Sequence, residues 1–249
     1  LAIISAHLTH TSPKTLHTEP CRGEAEPARG VGSVSHSHSD SRSDSESHSD
    51  SHSDSDAKRR AGCLVIFRGL PGTGKSYLLK RVVKACSPKY PLIARVSRDE
   101  LRHVILQPPT FSDIEKRMVD SMMVTLSVDL LRRGYLVFID GCSFTKAAGI
   151  LPFIGAARSS SATWGLVECE CAPSIAIKRI AQDRATGAHP AQDRDEALYW
   201  RCRNNRDASS VENTLRIDTG KHAADVNTKK VVDFINLTVA AGRRASRKN

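Results

Sequence analysis

The sequence predicts an α/β domain in which a five-stranded parallel sheet is sandwiched by helices, behind an N-terminal tail with no core of its own. Two observations carry that expectation. Five strand candidates alternate with helical patterns from residue 64 onward, and residues 33–56 are almost entirely Ser, Asp and His. Alternating strands and helices imply parallel strands joined by crossovers that cover both sheet faces. A Ser/Asp/His stretch buries too little apolar surface to offset its ordering entropy, so residues 1–60 are expected to be disordered. The domain is expected over residues 61–240, followed by a basic tail at 241–249.

The expected strands are 64–68, 92–97, 135–140, 164–171 and 214–218. Ser112 and Glu115 have capping-box spacing, and Ile114, Met118, Met122 and Leu126 recur every fourth residue as the apolar face of the helix that follows. Gly134 should stop that helix. Another helix should begin at Pro173 and carry Arg179 and Arg184, and residues 224–237 should form the last.

The first strand runs directly into GLPGTGKS. Gly69 and Gly74 bracket four residues, and Lys75 and Ser76 follow, which is the Walker A spacing. Such a loop cradles the phosphates of ATP because its glycines let the backbone curl, and because a helix start offers unpaired amides and partial positive charge. Gly69, Leu70, Pro71 and Gly72, then Thr73, Gly74, Lys75 and Ser76, are therefore the expected nucleotide-binding residues. Lys75 should reach the β and γ phosphates, and Ser76 should ligate Mg²⁺. Ligands of parallel sheets collect at the carboxyl ends of strands. That rule draws in SRDELR at 97–102, Asp140 and Gly141 after the third strand, and Thr219 after the fifth. Asp140 follows an apolar run as a Walker B carboxylate does, so it is the second expected Mg²⁺ ligand, with capping of the following turn as the alternative. Thr219 is expected beside the nucleotide.

Charge divides unevenly. Residues 1–60 hold seven Lys and Arg against nine Asp and Glu, whereas the remainder holds 30 against 18, a net +12. That exceeds what one ATP needs and leaves room for a second anionic ligand, nucleic acid among the candidates. The seven cysteines show no zinc-finger spacing, and Cys169 and Cys171 read as reduced residues of a sheet. LAIISAHL at the start is too short to span a bilayer, and no basic segment precedes it, so an intracellular, cytoplasmic protein is expected. A leucine at position 1 fits a fragment of a longer chain. His36, His38, His48 and His52 lie among aspartates, where loose metal binding competes with a role as solvated linker.

Together GLPGTGKS, SRDELR, FIDG and KRIAQDRATGAHP resemble the AAA-type small P-loop kinases, the group of phage polynucleotide 5′-hydroxyl kinase, chloramphenicol phosphotransferase and the zeta toxins. The resemblance covers about residues 62–237. It implies that Asp99 is the general base and that Arg102 touches acceptor phosphate, the alternatives being a helix N-cap for Asp99 and a surface helix position for Arg102. The chemistry agrees, since in-line phosphoryl transfer calls for a carboxylate on the acceptor side. Arg179 and Arg184, in the expected lid, would neutralise charge on the transferring group. Their spacing puts them about 140° apart on a straight helix, so both face phosphate only if the helix breaks between them. The acceptor is either a nucleic-acid end or a small-molecule alcohol, with Gln107 to Phe111 expected to shape its pocket. The alternative is an ATP-hydrolysing switch or motor. Motors place a glutamate after the Walker B aspartate, and here that position is Gly141.

Overall fold

Strands β1 (Cys63–Arg68), β2 (Ile93–Ser97), β3 (Leu136–Asp140), β4 (Thr163–Glu170) and β5 (Thr214–Asp218) form one parallel sheet in the order β2-β3-β1-β4-β5. Each lies within one residue of its expected limits at either end. The structure is a computed structural model that describes residues 61–187, 194–207 and 209–245. The disorder expected of residues 1–60, and the four tail histidines, fall outside the described residues.

The central strand β1 shows why the apolar run is continuous. Its six residues are all buried, with Val65 and Phe67 on one face and Leu64 and Ile66 on the other. Such double burial is the mark of a parallel strand covered on both sides. One face packs under α1 (Lys75–Cys86) and α7 (Ala224–Ala245) through Leu79, Val82, Val231 and Ile235. The other packs under α3 (Asp113–Arg132) and α4 (Leu151–Ser159) through Val119, Met123, Phe153 and Ile154. The remaining helices are α2 (Arg98–Ile105), α5 (Pro173–Thr186) and α6 (Glu196–Asn204).

Two expectations change. In α3, Ser112 accepts from Glu115 N at 3.3 Å, so the capping residue is where it was expected. The buried face, however, is Glu115, Val119, Met123, Ser127 and Leu131, whereas Ile114 is 73% exposed and Met118, Met122 and Leu126 about as exposed as one another at 40%, 41% and 40%. A stripe with period four exists on both faces, and the buried one contains two polar residues. Ser127 donates its hydroxyl to Met123 O at 2.7 Å, and Glu115 Oε2 accepts from Thr110 and Phe111 while Oε1 faces the Arg102 guanidinium, so polarity misled the choice of face. The last helix also continues past residue 237 to Ala245, taking in the start of the expected basic tail. Among the described residues no helix is long and apolar enough to cross a membrane.

Candidate nucleotide and acceptor cleft

A cleft of about 1320 Å³ opens at the carboxyl ends of the strands. The phosphate loop forms its floor. Gly74 is the N-cap of α1 at φ 75° and supplies no capping side chain, so the first amides of the helix are left for a ligand. Gly72 also has φ 75°, and a Cβ there would stand 2.3 Å from Ala176 O, which only glycine avoids. Thr73 Oγ1 donates to Leu70 O at 2.7 Å and closes the turn.

Lys75 folds back over this loop, with Nζ donating to Gly69 O at 2.8 Å and Leu70 O at 2.9 Å. Burial, and then the nearby Arg194 guanidinium, push its ammonium down to about 8. The adjacent Ser76 Oγ donates to Asp140 Oδ1 at 3.1 Å. Asp140 is 1% exposed, and its other oxygen is 3.1 Å from Arg95 Nη1. β3 neighbours β1 in the sheet, which is what brings Asp140 to the start of α1.

These two oxygens fit Mg²⁺. A hydroxyl and one carboxylate oxygen, already 3.1 Å apart, are hard donors of the kind Mg²⁺ takes alongside waters and phosphate oxygens. Among the described residues no cluster of three His, Cys, Asp or Glu exists, so a cation here would complete its shell from the nucleotide and water.

Opposite the loop, α2 presents Asp99 and Arg102 to the cleft. Ser97 is the N-cap of α2, so Asp99 lies inside the first turn and is not the cap. Arg102 is 6% exposed and its charge is already engaged: Nε is 2.6 Å from Glu115 Oε1, and Nη1 is 3.4 Å from Asp99 Oδ1. The ring of Phe111 lies 4.9 Å from its guanidinium. Arg102 thus holds two carboxylates, whereas the resemblance implied a cation for acceptor phosphate. Phe111, at the end of the expected acceptor segment, lines the cleft with φ 57°.

The lid side separates the two expected arginines. α5 is unbroken from Pro173 to Thr186, so they cannot share a face. Arg179 lines the cleft; its Nη1 donates to Thr219 Oγ1 at 3.2 Å and its Nη2 to Thr219 O at 3.0 Å. Thr219 in turn donates to Thr73 O at 2.8 Å, which ties the end of β5 to the phosphate loop. Arg184 lies away from the cleft and lines a separate cavity with Ile177, Ile180 and Glu196. His189, which the sequence places in the same lid as a solvated rather than a catalytic residue, falls outside the described residues. Two further arginines line the cleft: Arg98, expected there without a role, and Arg194, which the sequence did not single out. Arg194 stands 3.7 Å from Asp183, and Arg98 donates to Gly141 O at 3.3 Å and pairs with Asp120 at 3.4 Å. Arg98 belongs to SRDELR, whereas Arg194 follows the lid helix with no spacing to single it out.

Comparison with known proteins agrees with this fold. Among curated proteins none matches the sequence significantly. Solved structures do match, among them three at 13–18% identity. APS kinase CysC of Mycobacterium tuberculosis, solved in complex with AMPPNP and APS, aligns at 18% identity with a TM-score of 0.53, over 71% of this chain and 98% of that one. A gluconokinase of Sinorhizobium meliloti 1021 aligns at 16% with a TM-score of 0.51, over 75% and 99%. The protein designated APE1195 aligns at 13% with a TM-score of 0.58, over 72% and 98%. At these identities the likeness establishes the fold, that of P-loop kinases. The family profile AAA_33, described as an AAA domain, matches residues 64–200, more than half of the chain, and the protein belongs to that family.

Proposed function

We propose that the protein is a phosphotransferase that moves the γ-phosphoryl group of ATP to a hydroxyl acceptor. The observation that carries this reading is the placement of Lys75, Ser76 and Asp99 around one cleft of about 1320 Å³. Single small-molecule sites occupy about 300–1,000 Å³, so the cleft has room for a nucleotide and a second substrate.

The nucleotide is held by the amides of the phosphate loop and the start of α1. Lys75 leaves Gly69 O and Leu70 O for the β and γ phosphates, exchanging two neutral acceptors for a charged one. Ser76 and Asp140 would hold Mg²⁺, whose charge would screen the phosphates. Asp99 accepts the proton of the acceptor hydroxyl as the new O–P bond forms, and Arg179 neutralises charge from the lid. Kinases with alcohol acceptors, gluconokinase and APS kinase, share the fold, which supports the reaction class without naming this chain's acceptor.

A switch or motor fits the site less well. Gly141 has φ 76°, and a Cβ there would stand 2.9 Å from Arg98 N and 3.0 Å from Asp99 N. A glutamate to polarise water has no space in that position. The test is a panel of hydroxyl compounds, from 5′-hydroxyl oligonucleotides to sugars and nucleosides, incubated with γ-labelled ATP and Mg²⁺. Label should pass to an acceptor and fail to do so with Lys75→Ala. ATP hydrolysis at one rate with and without every acceptor contradicts the proposal.

A further inference from the structure

Arg68 and Glu168 are register partners on the adjacent strands β1 and β4, and both are buried near the carboxyl end of the sheet, 2% and 5% exposed. They set a positive and a negative charge side by side. Just past the end of α6 the chain answers them in opposite signs: Arg206 pairs with Glu168, and Asp207 Oδ1 accepts from Arg68 Nη2 at 3.0 Å. Glu168 also faces Arg68 Nε at 3.5 Å and Arg216 Nε at 3.3 Å. Burying charge is costly unless each group has a partner, and this clasp supplies one for each.

The same clasp grips the loop after β3. Arg68 Nε donates to Phe144 O at 2.9 Å, Asp207 Oδ2 accepts from Ala147 N at 2.7 Å, and Asp207 N donates to Thr145 O at 2.9 Å. The Ala147 amide first, joined by Arg68 and opposed by burial, holds the Asp207 carboxyl below its ordinary value. Phe144 has φ 47°, a left-handed conformation that a residue other than glycine keeps only where its surroundings fix it. Ser143, Phe144, Thr145 and Lys146 line the cleft, as do Cys202 and Asn205 just before the clasp. The strand order puts β3 and β2 on one side of β1, so this loop and Asp99 lie together, while β4 and β5 lead to Arg179 and Thr219 on the other. We propose that Asp207 is a positioning residue for the acceptor: through Arg68 and the Ala147 amide it fixes the wall formed by residues 143–146 against the end of β1, where the phosphate loop begins. This rests on the reading of the protein as a kinase. Asp207 stands behind that wall, outside the residues that line the cleft.

Two variants cut the link from opposite ends. Asp207→Ala removes the carboxylate, while Glu168 still faces Arg68 and keeps its charge paired. Ala147→Pro removes only the amide, at the first position of the short 3₁₀ helix Ala147–Gly149, and Lys146 before it has φ −117° and ψ 141°, a conformation that a following proline accepts. This second variant carries the test if Asp207→Ala does not fold. With an acceptor found by the hydroxyl panel, each variant should lower kcat/KM for that acceptor by about 10- to 100-fold, the scale on which misplaced substrates lose rate. The dissociation constant for Mg-ATP should stay near that of the wild-type protein. The double variant should lose no more than Asp207→Ala alone, because both changes remove one link. Unchanged acceptor kinetics, a loss of ATP affinity in step with the acceptor, or losses that add in the double variant would overturn the positioning role while wild-type transfer leaves the kinase reading standing. A wild-type protein that labels no acceptor overturns that reading, and the positioning role with it.

Discussion

The Ser76 hydroxyl donates to Asp140 Oδ1 across 3.1 Å and joins the first turn of α1 to the last residue of β3. Arg95 occupies the second oxygen of Asp140, so a single carboxylate oxygen remains on the Ser76 side. A cation seated there must gather the rest of its ligands from phosphate and water. Ser76→Ala should therefore weaken ATP binding about tenfold in the presence of Mg²⁺ and much less in EDTA, as calorimetric titration can measure. Equal losses under both conditions would remove Ser76 as a metal ligand.

Lys75 gives a pH signature. Its ammonium is pushed down to about 8 in the ligand-free protein by burial and Arg194, whereas a bound triphosphate stabilises the charged form. Above pH 8 the free protein has lost this proton and must regain it on binding. The dissociation constant for Mg-ATP should accordingly rise as pH climbs through about 8, approaching tenfold per pH unit, and proton uptake should appear as a dependence of the binding enthalpy on buffer. Lys75→Ala should flatten this dependence while weakening binding at pH 7. A constant affinity from pH 7 to 9.5 in the wild-type protein would contradict it.

The lid arginines should part company. Arg179 contacts Thr219 and lines the cleft, whereas Arg184 borders a different cavity. Arg179→Ala should lower the transfer rate by about 10²–10³, the usual worth of a group that stabilises developing charge. Arg184→Ala should leave it within about twofold. Comparing the two rates at saturating ATP checks both, and equal losses would mean that α5 does not hold its observed orientation during turnover.

Local patterns made the sheet and the phosphate loop legible in the sequence. The central strands β1 and β3 are nearly continuous apolar runs, and the loop demands glycines at fixed positions for steric reasons that their spacing reveals. Side-chain partnership is not local. Glu115 and Arg102 meet across two helices, and the exposed Ile114, Met118, Met122 and Leu126 look more like a core stripe than the buried face that carries Glu115 and Ser127. Arg179 and Arg184 were both visible, but the choice between them depended on α5 remaining unbroken. Arg102 was legible as a residue of the cleft, and its pairing with two carboxylates was not.

The central claim is that Asp99 takes a proton from an acceptor hydroxyl, and one comparison tests it most directly. Ser97 caps α2, so Asp99→Asn removes a carboxylate without removing a helix cap. With an acceptor found by the hydroxyl panel, single-turnover transfer by Asp99→Asn should fall by about 10²–10⁴. Mg-ATP affinity and thermal midpoint should stay near those of the wild-type protein. Transfer at the wild-type rate, from a folded variant that binds ATP normally, would contradict the account and move the search for the base elsewhere in the cleft.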